Sequence, residues 1–220
     1  MSDSVKPIII YGAGGQGREI EQLIKDINNV EPTWNVLGFV DDSRKKGETV
    51  GRLPVLGTLY DCDSYFQNGT YVITAIGDSA IRKTAVENIK AFHPLVQFAT
   101  VIHPSARVAD DVMVGQGCVI GAFSLLSTNV VVEDHVLVNY GCTIGHDAKL
   151  SMFSTVLPGA NVSGNVTIEV GASIGSGAQI LPGKRIGQYT IVGAGAVVNK
   201  DMPDRCTAVG VPAKPIKFHE

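Results

Sequence analysis

The chain has 220 residues, 45% of them hydrophobic and 18% charged, with a net charge of −3. That length holds one large or two small domains with a sizeable core. The slight acidic balance excludes the basic face of a nucleic-acid binder, and no apolar run is long enough to span a membrane.

The first element is PIIIYGAGGQGREIEQLIKDI, residues 7–27, an apolar run, a glycine loop and an amphipathic stretch. No basic segment precedes the apolar run, so it reads as a first strand rather than a signal peptide. Ile20, Leu23, Ile24 and Ile27 fall on one helical face. Gly12, Gly14 and Gly17 fit GxGxxG between strand and helix, the context in which such a loop cradles a phosphate at a helix N-terminus. A tight strand-to-helix turn is the plainer alternative. NVLGFVDD follows as a second strand ending in Asp41 and Asp42, where an acid meets a ribose or base donor. YVITAIGD is a further buried strand, and a helix is expected from about Ser79 to Lys90. Strand–helix alternation predicts a small parallel α/β, Rossmann-like sheet over residues 1–100, with a linker near Val101–Pro104.

From Ile102 to Val198 every sixth residue is Ile, Val or Leu. The residue four places on is usually small or β-branched, as at Ala106, Cys118, Ser124, Cys142 and Ala148, and glycine often follows the aliphatic, as at Gly115, Gly121 and Gly145. This hexapeptide period predicts a parallel β-helix over 101–200, whose short strands each point one aliphatic inward so that stacked coils share one core. Residues 201–220 form a tail in which Pro203, Pro212 and Pro215 preclude a long helix.

His146 and Asp147 interrupt the apolar pattern. His146 takes the third place of its hexapeptide, not the inward one, so it is not core. It is either a solvent-facing loop residue or a catalytic one. His135, in VEDHVL, reads as surface or subunit interface, and His103 as structural. A zinc enzyme needs three converging histidines, and only His135 and His146 lie well inside the repeat. No metal site is therefore expected. Nothing after the glycine loop resembles a hydride-transfer domain. Cys62, Cys118, Cys142 and Cys206 make no CxxC pair and read as free thiols of a reducing, cytoplasmic compartment.

The stretches YGAGGQG, GFVDD, AIGDSAIRK, IHPSA, IGHDA, PGANVSGNV and VGVPAKPIK span nearly the whole chain. With the two domains in this order, the sequence resembles the hexapeptide-repeat sugar acetyltransferases. These include nucleotide-activated 4-amino-sugar N-acetyltransferases and relatives described as sialic acid O-acetyltransferases. The resemblance implies a left-handed β-helix, a homotrimer with sites between neighbouring β-helices, and acetyl transfer from acetyl-CoA to the 4-amino group of a nucleotide-linked 4-amino-4,6-dideoxy sugar. A sialic acid or other sugar hydroxyl is the alternative acceptor. It implies His146 as general base with Asp147 beside it, and nucleotide-sugar contacts from Gly12, Gly14, Gly15, Gln16, Asp41, Asp42 and Gly77. Acetyl-CoA would run along Thr155, Gly164, Ser176 and Ala194. Two positions depart from the family pattern: Gln16 and Thr155 stand where relatives often carry histidine. Lys200, Lys214 and Lys217 either approach the CoA phosphates or form a solvated surface.

The chemistry suits the residues. A 4-amino sugar is largely an ammonium at neutral pH, and a base within hydrogen-bonding reach removes its proton as it attacks the thioester. Histidine titrates in the right range, and direct attack requires no acyl-enzyme.

Overall fold

The computed structural model describes residues 5–219, which divide into one compact unit up to Pro104 and another from Ser105.

The first unit is an α/β sheet. Its elements are β1 (Lys6–Tyr11), α1 (Gly15–Val30), β2 (Trp34–Val40), β3 (Thr49–Val50), β4 (Leu53–Gly57), α2 (Asp63–Gln67), β5 (Tyr71–Thr74), α3 (Ser79–Phe92) and β6 (Gln97–Phe98). The strand order is β3-β4-β2-β1-β5-β6, parallel except for the β3–β4 hairpin. Ile8, Ile9 and Ile10 of β1 are fully buried, as a central parallel strand covered on both faces requires. Ile20, Leu23 and Ile24 of α1 are buried and Ile27 half-buried, so the expected apolar face packs inward. α1 stops at Glu31, because Pro32 disfavours helical backbone in the residue before it. His103 meets Asp26 of α1 at 3.2 Å, a tie consistent with its structural reading. β1 lies between β2 and β5, so the connections run outward on opposite sides of it. At such a switch point the strand ends leave a crevice, which is where ligands bind.

The second unit is the left-handed parallel β-helix. Two-residue strands recur every six residues, and each pairs with the strand eighteen residues on. Three hexapeptides therefore close one coil. The first face stacks Val119–Ile120, Leu137–Val138, Thr155–Val156, Ser173–Ile174 and Ile191–Val192. The second stacks Arg107–Val108, Leu125–Leu126, Thr143–Ile144, Asn161–Val162, Gln179–Ile180 and Val197–Val198. The third stacks Met113–Val114, Val131–Val132, Lys149–Leu150, Thr167–Ile168 and Arg185–Ile186. The periodic aliphatics form the core: Ile120, Ile144, Leu150, Val156, Ile168 and Ile174 are fully buried. Each contributes about 1.5–3 kcal/mol of transfer free energy. The tail extends the first face as a hairpin of Cys206–Val209 with Lys214–Phe218.

The corners turn through left-handed backbone. Besides glycine they use Asn129, Asp147 and Asn165 (φ 55°, 58° and 58°), residue types that tolerate that region. His135 (φ 59°) stands at another corner and corrects the surface reading of the sequence. Its side chain is fully buried, and its ring stacks on Phe153 with centroids 5.1 Å apart and planes 9° from parallel. The reason lies one coil back at Gly117, where a Cβ would collide with the imidazole. The missing side chain leaves room for the ring to fold over.

Candidate active site

The crevice of the first unit has a volume of about 270 Å³ and is lined by Tyr11, Gly12, Asp41, Asp42, Ile76, Ile81, Thr84, Ala85 and Asn88. The glycines divide by role. Gly12 has φ 111°, and a Cβ there would stand 2.8 Å from the Ala75 carbonyl oxygen; at Gly17 a Cβ would collide with the Gly12 carbonyl. These two permit the strand-to-helix turn. Gly14 and Gly15 have nothing within 4 Å of a Cβ position, so the start of α1 is open toward an anion. Gln16 follows in the first turn and is half-exposed.

The two aspartates also divide. Asp41 Oδ2 accepts the Ala13 N–H at 2.8 Å, and Oδ1 accepts from the Ser43 backbone and hydroxyl. Asp41 thus ties the glycine loop to the end of β2. Burial pushes its carboxyl pKa up, but the hydrogen bonds from Ser43 and Ala13 together hold it below the ordinary 3.8. Asp42 accepts the Tyr11 hydroxyl at 3.0 Å on Oδ2. Burial first, then Asp42, raises the Tyr11 pKa far above its usual value, so the phenol stays a neutral donor. Gly77 is exposed, and its carbonyl accepts from the buried Arg82 guanidinium, which also bonds the Ile76 carbonyl. The α3 side chains at Ile81, Thr84 and Asn88 were absent from the sequence reading; their i, i+3, i+7 spacing on the helix after AIGD is the signal that could have found them.

His146 and Asp147 occupy the corner between the second and third faces, after Thr143–Ile144 and before Lys149–Leu150. Their side chains are 59% and 43% exposed, so the pair is open to a substrate. His146 Nδ1 lies 2.7 Å from Asp147 Oδ2. Asp147 Oδ1 accepts from Asn129 Nδ2 at 2.6 Å. The His146 hydrogen bond foremost, then that of Asn129, holds the Asp147 carboxyl below its ordinary range. An ionised carboxylate only accepts, so in the neutral imidazole Nδ1 carries the proton and Nε2 presents a lone pair. That is the form a general base needs.

Gly164 lies beside this pair, one coil on. A Cβ there would stand 2.6 Å from His146 Nε2, so the glycine seats the ring. A Cβ on Gly145 would stand 2.5 Å from the Gly164 nitrogen, so the two coils approach closely here. Ser176 and Ala194 stack on the other corner, between the first and second faces, where the Gly195 N–H bonds the Ser176 carbonyl at 2.9 Å. Both are exposed. Thr155 lies in the first face and is only 1% exposed, which encloses the hydroxyl expected to meet the acetyl group. A single chain therefore joins Gly164 to His146 but holds Ser176 and Ala194 on a different corner. Lys200, Lys214 and Lys217 are exposed near the closing hairpin.

All four cysteines are buried and none forms a disulfide. Burial pushes Cys62 and Cys142 up to about 11, so neither is a thiolate nucleophile at neutral pH. Among the described residues no group of three or more His, Cys, Asp or Glu is placed to hold a metal ion, and no helix is long and apolar enough to cross a membrane.

Residues 7–89 match the PglD N-terminal domain family. The acetyltransferase domain of PglB from Neisseria gonorrhoeae FA1090, solved with acetyl coenzyme A, superposes with a TM-score of 0.87 at 32% identity, over 97% of this chain and 100% of that one. PerB from Caulobacter crescentus, solved with CoA and GDP-perosamine, gives a TM-score of 0.87 at 28% identity over 97% and 99% of the two chains. GDP-perosamine N-acetyltransferase from Escherichia coli O157:H7 is 36% identical over 121 residues, 54% of this chain; the chain spans about half, 53%, of that curated relative's length.

Proposed function

We propose a specific reaction for this chain, which belongs to the family of hexapeptide-repeat sugar N-acetyltransferases: transfer of acetyl from acetyl-CoA to the 4-amino group of a nucleotide-linked 4-amino-4,6-dideoxy sugar. The observation that carries it is the exposed His146–Asp147 pair, in which Nδ1 faces the carboxylate and Nε2 is left as the acceptor of the neutral ring. The sugar nitrogen, as the neutral amine formed when its ammonium gives one proton to solvent, attacks the thioester carbonyl carbon as Nε2 takes a second proton from it. The tetrahedral adduct collapses with cleavage of the C–S bond, and the imidazolium returns the proton to the departing sulfur. Positioning supplies the rest of the acceleration.

The nucleotide sits in the crevice of the first unit. The diphosphate lies against Gly14, Gly15 and the start of α1, with Gln16 in reach, and the base or ribose donors meet Asp42. Asp41 supports the loop, since both of its oxygens are already engaged. Gly77, next to the lining residue Ile76, is a further contact for the sugar nucleotide. The relatives described with GDP-perosamine make GDP-linked amino sugars the first acceptors to try. A sialic acid hydroxyl is not favoured, because two of the named relatives are described with GDP-perosamine, a nucleotide-linked amino sugar.

The active assembly is a homotrimer in the cytoplasm. Ser176 and Ala194 line the acetyl-CoA groove of one copy and face the His146 corner of the next, which reconciles their placement on separate corners. The exposed apolar side chains Phe123, Leu125 and Tyr140, on and beside the Ser176 corner, are what such an interface would cover.

The test is incubation with acetyl-CoA and GDP-, UDP- and dTDP-linked 4-amino sugars, following CoA release and product mass. One amino sugar gaining a single acetyl group supports the reading. Turnover only on hydroxyl acceptors overturns it.

A further inference from the structure

The left-handed corner between the second and third faces stacks Asn129, Asp147 and Asn165 at eighteen-residue intervals. The Asp147 N–H bonds the Thr128 carbonyl at 3.1 Å, which sets the Asp147 backbone directly over Asn129. The amide of Asn129 then donates to Asp147 Oδ1 at 2.6 Å, while Oδ2 faces His146 Nδ1 at 2.7 Å. Each carboxylate oxygen has one partner, and the two partners lie in different coils.

This matters because Asp147 is exposed, so packing does not hold its carboxylate. A surface carboxylate rotates freely about its Cβ–Cγ bond and shares its oxygens with water. Anchoring one oxygen fixes the plane of the group and aims the other. We propose that Asn129 is a positioning residue that clamps the Asp147 carboxylate, keeps the His146 proton on Nδ1 and leaves Nε2 free to accept. The amide is suited to the place: it supplies the donor that a carboxylate lacks, and asparagine tolerates the φ of 55°. The effect on rate rests on the reading of His146 as base; the effect on its tautomer does not.

Two variants test it. Asn129→Gly deletes the amide and still suits left-handed backbone. Asn129→Asp keeps the shape, loses the donor and sets a second negative charge beside Asp147. In protein with 15N-labelled histidine, the His146 ring shifts report the Nδ1–H tautomer in the parent and a mixture with Nε2–H in both variants. The expected kinetic result is a fall in kcat of about tenfold, the size typical of losing an outer partner of a functional histidine. KM for both substrates should stay within about twofold, with the melting temperature nearly unchanged. An unchanged tautomer in Asn129→Gly overturns the proposal, whether or not the rate falls. A changed tautomer upholds it; if His146→Ala then shows full turnover, the base assignment falls alone.

Discussion

The imidazole of His146 rests on Gly164, with its Nε2 only 2.6 Å from where a Cβ on that glycine would stand. The α-carbon of the next coil is thus the floor under the proposed base. Gly164 is not among the residues with positive φ, so alanine is tolerated there by the backbone. Gly164→Ala should therefore push the ring aside without unfolding the coil. The expected result is a fall in kcat of about a hundredfold, since a displacement near 1 Å costs that much. Steady-state kinetics beside a melting curve checks it; unchanged kcat would show that the ring does not depend on this seat.

Asp42 and Tyr11 form the polar side of the proposed nucleotide crevice. Asp42→Asn should raise KM for the sugar nucleotide about tenfold or more, the order expected when a hydrogen bond to a charged group is lost. KM for acetyl-CoA should stay within twofold. Parallel titration of the two substrates gives the answer, and an equal rise in both would place Asp42 elsewhere in function.

Asp41 makes the stability of the first unit depend on pH. Its folded carboxyl pKa lies below the ordinary 3.8. A depressed acid stabilises fully above its unfolded value, and that stabilisation is lost as pH falls through the folded value. Asp41→Asn should thus lower the melting temperature at pH 6, and the gap to the parent should narrow as pH falls through the folded value. Melting curves across pH 3–7 test this, and a constant gap would contradict it.

Gly117 and His135 stack at the corner between the third and first faces. At Gly117 the φ is 70° and a Cβ would collide with the imidazole ring. Gly117→Ala should cost about 1–3 kcal/mol of stability through strain and displacement of His135 from Phe153. Denaturant unfolding measures it, and a loss below about 0.5 kcal/mol would mean the stack relaxes freely.

The β-helix was legible because its inward aliphatics recur every six residues, a signal carried by one side chain at a time. The glycine loop and the β2 acids were legible because strand, loop and helix follow one another directly. What escaped were relations across coils. Residues eighteen apart become neighbours only when three hexapeptides close a turn, so Gly117 under His135, Asn129 under Asp147 and Gly164 beside His146 leave no local mark. The division of roles between Asp41 and Asp42, just after β2, escaped for another reason. Which of them faces the glycine loop depends on how the chain turns after Val40, and Asp41 takes the Ala13 N–H. Thr155 sits at an outward strand position, yet its hydroxyl is enclosed, a burial that the hexapeptide pattern does not encode.

The most direct test of the central claim is the single-turnover rate of acetyl transfer by His146→Ala on the amino sugar that the parent protein accepts. His146 is exposed, so the variant should fold as the parent does. The expected rate is lower by about 10²–10⁴, the span typical of a lost general base, with both substrates still bound. A rate within twofold of the parent would contradict it and leave the His146–Asp147 pair as corner architecture.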